Sequence, residues 1–305
     1  MFDFVFLGTG AMKPMIKRFT SSLMIRYKGE ILMFDVGEGI QIRVSQSGFS
    51  PMKVDKIFIT HFHGDHFYGL PGMIFTMAKG GRTKKLEIYG PPKAKEFVEG
   101  IMSLGYGHVP FSIEVNELNH GDTVQGKGYK VNTFRTDHGP PSLGYIFKED
   151  DSFNVNQDKM KKEGITSSPK FKFLKEGKAI EIDGRKLEPS EWLIPIKGDS
   201  LAYTGDTKYS ELIAEYVKGV TILVHESTYL KKDGAQFDRG HSSVEDAAQI
   251  AKLAKVSNLF LIHISPRYMD LSLLKETAVK IFPQTYISVD LDKWIVKKGK
   301  LVRNK

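Results

Sequence analysis

The sequence contains no cysteine among its 305 residues. Disulfide bonds and metal sites built on thiolates are therefore excluded. Any bound metal ion must use nitrogen and oxygen ligands from histidine, aspartate or glutamate. Such ligand sets are more typical of catalytic zinc sites than of structural ones, because structural zinc sites usually contain cysteine.

Long apolar segments are missing as well. No run of the sequence approaches the ~18 apolar residues that suggest a membrane span. The first ten residues, MFDFVFLGTG, include Asp3 and lack a basic leader, so they predict a first β-strand and not a signal peptide. We therefore expect a cytoplasmic protein with no membrane attachment. Its hydrophobic fraction of 41% and charged fraction of 26% are those of an ordinary globular protein.

Acidic residues are the minority among the charged ones. The chain has 44 lysines and arginines against 36 aspartates and glutamates, for a formal net charge of +8 at pH 7. A basic surface attracts polyanions, and nucleic-acid backbones are the commonest of these. Because many basic enzymes bind no nucleic acid, charge alone leaves both interpretations open.

The most informative motif is HFHGDH at residues 61–66, directly after an apolar run that predicts a buried strand. Neutral imidazole and carboxylate are good ligands for Zn²⁺. Side chains alternate along an extended chain, so His61 and His63 point the same way, whereas Asp65 and His66 lie on the following turn. This spacing fits one ion at the first pair and a second ion at the second pair. A histidine-rich surface turn is the alternative.

Two coordination spheres need further ligands than these four. Three lone polar residues that follow apolar runs are candidates: His138, Asp206 and His263. Each of them alone is equally typical of a satisfied core or turn residue, but together with residues 61–66 they form a plausible ligand set. Three other histidines are interpreted as ordinary polar or supporting residues: His108, His120 and His225.

The order of predicted elements indicates the fold class. Strand-like segments dominate the first half of the chain, and strands alternate with helices in the second half. The clearest helix is predicted over residues 244–255, behind a capping box formed by Ser242 and Glu245. The combination predicts an α/β fold of the four-layer α+β type, with two packed sheets and helices outside. We expect one domain over residues 1–305.

Residues 149–197 break this pattern, because they show little periodicity. Between residues 159 and 178 there are seven lysines against two glutamates, with Phe171 and Phe173 interleaved. A long irregular insertion in a compact domain is usually functional or disordered. Basic residues mixed with aromatic ones suit a surface that binds RNA or DNA. A solvated loop or an extra hairpin is the alternative.

Seven sequence blocks resemble a known family over nearly the whole chain: FLGTGA at 6–11, FDVGEG at 34–39, ITHFHGDHFYGLPG at 59–72, YTGDT at 203–207, VHEST at 224–228, HSS at 241–243 and HISPRY at 263–268. HxHxDH alone marks the metallo-β-lactamase superfamily. The GLPG, HEST and HISPRY blocks make the chain similar to the ribonuclease Z family, the tRNA 3′-processing endonucleases. The resemblance implies an αβ/βα sandwich with an inserted tRNA-binding arm at 149–197.

The resemblance also implies a role for each matching residue. His61, His63 and His138 would bind a first zinc ion, Asp65, His66 and His263 a second, and Asp206 would bridge the two. Asp65 would also orient the attacking hydroxide, while Glu226 and His241 would assist proton transfer at the leaving group. Basic residues expected to bind substrate are Lys17, Arg18, Lys170, Lys172, Lys175 and Arg267. The family is typically dimeric, so a homodimer is expected.

Two departures from the family's pattern concern substrate selection. Phe19 stands where the early loop of the family usually has asparagine, and this loop is associated with the choice of cleavage position. Ser168 replaces the glycine of the arm's usual Gly-Pro. The expected reaction is hydrolysis of the phosphodiester between the tRNA body and its 3′ trailer, which leaves a tRNA 3′-OH and a trailer 5′-phosphate.

Two other functions fit parts of the sequence. The first is another hydrolase on the same scaffold, such as a phosphodiesterase, arylsulfatase, lactonase or thioesterase that acts on a small substrate and needs no basic arm. The second is an RNA-binding protein whose metal site is only structural. The absence of cysteine ligands argues against the second interpretation.

Overall fold

This computed structural model describes residues 1–236 and 240–304. Its strands are distributed over nearly the whole chain. In chain order, the strands are β1 Phe2–Gly8, β2 Ser22–Tyr27, β3 Glu30–Phe34, β4 Val54–Phe58, β5 Leu86–Gly90, β6 Ile113–Glu117, β7 Thr123–Gly126, β8 Tyr129–Arg135, β9 Leu143–Glu149, β10 Ser152–Val155, β11 Ile180–Ile182, β12 Arg185–Leu187, β13 Leu193–Ile196, β14 Ser200–Tyr203, β15 Ile222–Glu226, β16 Asn258–Ile262, β17 Thr285–Ile287, β18 Lys293–Lys297 and β19 Lys300–Asn304.

The helices are short, and most of them follow a strand. In chain order they are α1 Ile40–Ser47, α2 Gly64–Phe67, α3 Leu70–Lys79, α4 Ala94–Met102, α5 Gln157–Lys162, α6 Phe171–Lys175, α7 Pro189–Trp192, α8 Glu211–Tyr216, α9 Val244–Ala254 and α10 Ser272–Ile281. In the described part of the chain, none of them has the length and apolar composition that a membrane span requires.

The contacts divide the chain into two compact units. The larger one consists of Met1–Lys148 and Asp199–Lys305, and the smaller one of Glu149–Gly198. The larger unit contains an eight-stranded sheet in the order β19-β18-β1-β2-β3-β4-β5-β6 and a seven-stranded sheet in the order β17-β16-β15-β14-β9-β8-β7. Strands β3 to β6 are parallel, as are β14 to β17.

A continuous apolar core joins the two sheets of the larger unit. Phe4 of the first sheet packs edge-on against Phe260 of the second, with ring centroids 5.6 Å apart. Phe34 also contacts Tyr145 across the sheets, with tilted rings whose centroids are 6.0 Å apart. On the outer faces, α1, α3 and α4 cover the first sheet, and α8, α9 and α10 cover the second. The predicted two sheets with helices outside are confirmed as a four-layer sandwich.

One detail of the predicted helices is wrong. The predicted capping box lies one residue too early, because Ser243 and not Ser242 is the N-cap of α9, and its partner is Asp246. The Ser242 hydroxyl instead donates to the Thr207 carbonyl at 2.7 Å. After HFHGDH the chain forms two helices, α2 and α3, which are separated at Gly69. A Cβ on Gly69 would lie 1.9 Å from the Gly37 carbonyl oxygen, so only glycine allows this close approach.

The smaller unit is regular, which corrects the expectation of an irregular insertion. It contains the hairpin β11–β12, the antiparallel pair β10–β13 and the helices α5, α6 and α7. Asn156 caps α5 by accepting a hydrogen bond from the Lys159 amide at 3.0 Å. Leu174, Leu187 and Trp192 belong to a buried apolar cluster of its own. Because its elements are three to six residues long, their periodicity is too short to stand out in the sequence.

Candidate metal centre

The predicted ligands come together, although they come from both sheets. His61, His63, Asp65 and His66 follow β4, the last two inside α2. His138 follows β8, Asp206 follows β14, and His263 follows β16. All but His63 and Asp65 are buried. Ring and carboxylate atoms of these residues form two groups, each compact enough to surround one metal ion, and a third group includes His241.

The first group consists of three imidazoles and one carboxylate. His63 Nδ1 lies 3.1 Å from His61 Nε2 and 3.0 Å from His138 Nε2. Asp206 Oδ2 lies 3.7 Å from His61 Nε2 and 3.6 Å from His138 Nε2. Ligands at ~2.0–2.1 Å from one tetrahedral zinc ion are about 3.3 Å apart. Of the four separations in this group, the two between imidazoles are shorter than this distance and the two to Asp206 are longer.

The second group consists of Asp65, His66 and His263, with Asp206 beside them. Asp65 Oδ2 lies 3.2 Å from His263 Nε2 and 3.9 Å from His66 Nε2. Asp206 Oδ1 lies 3.3 Å from His66 Nε2, and its Oδ2 lies 3.3 Å from His263 Nε2. Asp206 is therefore the one carboxylate that contacts both groups, as expected for a ligand shared by two ions.

Two buried atoms show that this donor set fits a cation. Among the described residues, the buried His66 Nε2 and Asp206 Oδ1 lie 3.3 Å apart and have no hydrogen-bond partner other than each other. Burial lowers the pKa of His66, but the charges of Asp206, Asp35 and Asp65 outweigh burial and raise it well above its usual value. The carboxylates thus create an excess of negative charge at a buried point, and a divalent ion would neutralise it.

The remaining nitrogen of each buried imidazole ligand is held by a hydrogen bond. His66 Nδ1 donates to Asp35 Oδ2 at 2.7 Å, and His138 Nδ1 donates to the Gly240 carbonyl at 2.6 Å. His61 Nδ1 donates to the Thr60 hydroxyl at 3.0 Å, which in turn donates to Asp35 Oδ2 at 2.9 Å. Such bonds fix the tautomer of the neutral imidazole, so Nε2 would keep the lone pair that binds a metal ion.

The same arrangement recurs at His263, where it involves the predicted proton-transfer pair. His263 Nδ1 donates to the Thr228 hydroxyl at 2.9 Å, and that hydroxyl donates to Glu226 Oε2 at 2.7 Å. The other oxygen of Glu226, Oε1, accepts from His241 Nδ1 at 3.0 Å. Burial lowers the pKa of His241, but the hydrogen bond and charge of Glu226, together with the charge of Asp206, raise it to about 9. These interactions favour the charged form of His241 at neutral pH.

Sequence reasoning assigned no role to three of these supporting residues: Asp35, Thr60 and Thr228. Asp35 is wholly buried, has a φ of 56° and accepts four hydrogen bonds, two from Thr60 and one each from His66 and Tyr203. The sequence feature that could have indicated Asp35 is its position directly after the apolar strand β3, where a buried carboxylate needs hydrogen-bond donors. His225 supplies no atom to the two groups, and its Nδ1 donates to the Glu226 carbonyl.

The expected substrate-binding residues lie in both units. Lys17 and Arg18 border a cavity of about 160 Å³ together with Met269 and Asp290, and Arg267 is exposed two residues before Met269. In the smaller unit, three lysines at or in α6 are exposed: Lys170, Lys172 and Lys175.

Phe19, which stands in place of the usual asparagine, holds the early loop in position. Its amide donates to Asp290 Oδ2 at 2.7 Å, and its ring lies 4.3 Å from the Arg43 guanidinium carbon.

Comparison with solved structures shows the fold. Human tRNase Z, short form, superposes with a TM-score of 0.67 at 24% identity and covers 97% of this chain and 99% of its own. The metallo-β-lactamase fold protein YhfI from Bacillus subtilis has a TM-score of 0.68 at 17% identity, over 99% of both chains. The four-layer sandwich described above is therefore the metallo-β-lactamase fold.

Comparison of sequences shows the family. Residues 2–175 match the model of the anti-Pycsar protein Apyc1, and residues 165–264 match that of a β-lactamase superfamily domain. Ribonuclease Z of Pyrococcus abyssi is 41% identical over 99% of this chain and 98% of its own. Ribonuclease Z of Sulfurisphaera tokodaii is 40% identical, over 97% and 99%. Because these matches span both family models and nearly the whole chain, the protein belongs to the ribonuclease Z family of the metallo-β-lactamase superfamily.

Proposed function

We propose that this protein is a zinc-dependent endoribonuclease that removes the 3′ trailer of precursor tRNA. The observation that carries the proposal is the position of His241, which lies against Asp206 and His263 of the ligand groups and whose Nδ1 is held by Glu226. A metal site alone would suit many hydrolases of this fold. A cationic proton donor beside it suits a poor leaving group, such as a ribose 3′-oxygen.

The ligand groups define which residues would hold the ions. His61, His63 and His138 would bind one Zn²⁺, and Asp65, His66 and His263 would bind the other, with Asp206 shared between them. Bound as a pair, such ions make hydroxide available near neutral pH and offset negative charge on the phosphoryl oxygens.

The side chains of the protein orient the reacting groups. Asp65 is fixed by the Met12 amide, which donates to its Oδ2 at 2.8 Å, and we propose that Asp65 also accepts a hydrogen bond from the attacking water. His241 is partly exposed, so it can reach the substrate, and its proton passes to the leaving 3′-oxygen. Glu226 keeps His241 charged and orients its ring through the bond to Nδ1.

Substrate binding is assigned to the basic residues of both units. The smaller unit, Glu149–Gly198, is the proposed tRNA-binding arm, because Lys170, Lys172 and Lys175 are exposed on or beside one helix. Lys17, Arg18 and Arg267 are proposed to bind phosphates in the larger unit. Arg18 is the most enclosed of these, and burial lowers its pKa while the charge of Asp290 opposes that shift.

We also propose that the protein is a homodimer that acts in the cytoplasm, where its substrate would be met. Several large apolar side chains are exposed, among them Ile16, Leu104 and Tyr106, and a second copy could cover such surface. Light scattering coupled to gel filtration measures the assembly directly, and a monomer mass at micromolar concentration would contradict the dimer.

Cleavage of a precursor tRNA by nanomolar protein tests the function. The expected products are a tRNA with a 3′-OH and a trailer with a 5′-phosphate, and their ends are mapped for precursors with and without an encoded CCA. Activity should disappear on chelation and return with Zn²⁺, while the fold persists. Failure to cut the precursor, together with rapid turnover of an acyl ester, would instead support a hydrolase of small substrates.

A further inference from the structure

A cavity of about 380 Å³ in the larger unit lies beside the candidate metal ligands and has no assigned role. Its wall is formed by three loops: residues 91–92 after β5, residues 118–120 after β6, and residues 135–143 between β8 and β9. His138 is part of this wall, so the cavity adjoins the first ligand group. Cavities of ~300 Å³ or more commonly bind small organic ligands, so one nucleotide would fit.

The cavity presents polar groups that the protein leaves unused. Within residues 1–236 and 240–304, the side chains of Asn119, Arg135 and Asp137 make no hydrogen bond or ion pair, although all three line the cavity. The ring of His120 also lines it and packs against Tyr216 with centroids 5.0 Å apart. A guanidinium, an amide, a carboxylate and a supported aromatic ring therefore face one space next to the metal ligands.

The walls of the cavity are stiff. Pro91 and Pro92 form one side, and Pro140 and Pro141 form part of another. Proline fixes its own φ and restricts the residue before it, so these loops lose little entropy when a ligand binds. Arg135 is the last residue of β8, and the sheet therefore fixes the backbone from which its side chain extends.

We propose that this cavity binds one unpaired nucleotide of the RNA, next to the phosphate that is cleaved. The inference rests on the proposed function, because it requires an RNA substrate at the ligand groups. Arg135 pairs with a phosphate of that nucleotide, and the ring of His120 stacks on the base. At the base edge the Asn119 amide can donate or accept a hydrogen bond, whereas the Asp137 carboxylate only accepts and therefore favours an exocyclic amino group.

The chemistry favours a nucleotide over a simple anion. Asp137 would repel a phosphate placed against it, whereas a nucleotide puts its phosphate and its base at different points. The nucleotide comes from one of two sources: the first residue of the trailer, or the last residue of the tRNA body. Both carry the same chemistry, so the experiment must distinguish them.

The first arm of the experiment compares two charge-removing variants. Arg135→Ala is expected to raise KM for precursor tRNA about tenfold with kcat little changed, since stacked or paired nucleotides typically contribute at that level. Lys127→Ala is the matched control, because Lys127 is exposed in the turn at the opposite end of β8 and removes the same charge. Equal effects of the two variants would show a general loss of electrostatic attraction and would overturn the proposal.

The second arm pairs His120→Ala with precursors that lack one base. An abasic ribose is placed either just before or just after the mapped cleavage position, and kcat/KM is measured for each pair. The loss caused by the missing base should be smaller in His120→Ala than in the wild type at the position that the cavity holds, and should multiply with the mutation at the other. Losses that multiply at both positions would refute the site. Wild-type protein that cuts no precursor at all would refute the proposed function instead.

Discussion

The exchange of Asp35 for asparagine tests how the second ligand group is kept ready for a metal ion. Asp35 is wholly buried, and its carboxylate only accepts: Thr60 N donates to Oδ1 at 2.7 Å, while the Thr60 hydroxyl, His66 Nδ1 and the Tyr203 hydroxyl donate to Oδ2 at 2.9, 2.7 and 3.0 Å. Asp35→Asn changes the shape little, but it replaces one acceptor oxygen with an NH₂ donor.

The expected consequence is a change of tautomer at His66. The asparagine oxygen can still accept from Thr60 N, which leaves its NH₂ group facing His66 Nδ1. Two donors cannot share that contact, so His66 must move its proton from Nδ1 to Nε2. Nε2 is the atom that faces Asp206 Oδ1 at 3.3 Å in the second ligand group, and once protonated it cannot bind a metal ion.

The expected loss of metal affinity differs between the two ligand groups. Loss of a supporting partner of a metal ligand typically costs ~10–100-fold in metal affinity, or about 1.4–2.8 kcal/mol. We expect that loss for the group that contains His66. His61 is connected to Asp35 only through the Thr60 hydroxyl, which can still accept from His61 Nδ1 after reorienting. Affinity of the first group should therefore fall less than ~10-fold.

Zinc titration against a competing chelator measures both affinities, and ¹⁵N NMR of the histidine rings reports the His66 tautomer. Tyr203→Phe is the control, because it removes one hydrogen bond to Asp35 but introduces no donor. This variant should bind both ions normally, and its free energy of unfolding should fall by about 1 kcal/mol. The reasoning fails if Asp35→Asn loads two ions as tightly as the wild type, or if His66 keeps its proton on Nδ1.

Three further outcomes are expected. His241→Ala should lose at least ~10²-fold in kcat yet retain its metal, and near-normal turnover would exclude it as the proton donor. The combined exchange of Lys170, Lys172 and Lys175 for alanine should raise KM for full precursor tRNA and flatten its salt dependence, with kcat unchanged; an unaltered salt slope would contradict their assignment. Leu174→Ala should cost about 2–5 kcal/mol because Leu174 is fully buried, and limited proteolysis should then cut first within Glu149–Gly198.

Much of the larger unit could be predicted from the sequence because its elements are long or strongly apolar. The helix over residues 244–255 ends within one residue of α9, since its alanine-rich face is buried over three turns. The smaller unit could not be predicted in this way. Its strands have three or four residues, and its apolar core combines positions as far apart as Val155 and Trp192. Such pairings exist only in three dimensions.

The clustering of the candidate metal ligands could be predicted for a different reason. A cluster such as residues 61–66 is improbable unless something binds it, and each distant ligand ends an apolar run. The supporting residues carry no such signal. Thr60 and Thr228 are ordinary polar residues in the sequence, and their roles depend on the distance from each hydroxyl to an imidazole, 3.0 Å and 2.9 Å. No sequence pattern contains those distances.

The distribution of ligands between the sheets explains why the sandwich and the site form together. His61 and His66 follow a strand of the first sheet, while Asp206 and His263 follow strands of the second. Each group therefore contains atoms from both sheets, and it exists only when the sheets pack in one relative position. An ion bound by such a group stabilises that packing and is in turn bound more tightly by it, since binding and folding free energies are linked. The aromatic contacts between the sheets thus help to hold the two ligand groups together independently of any ion.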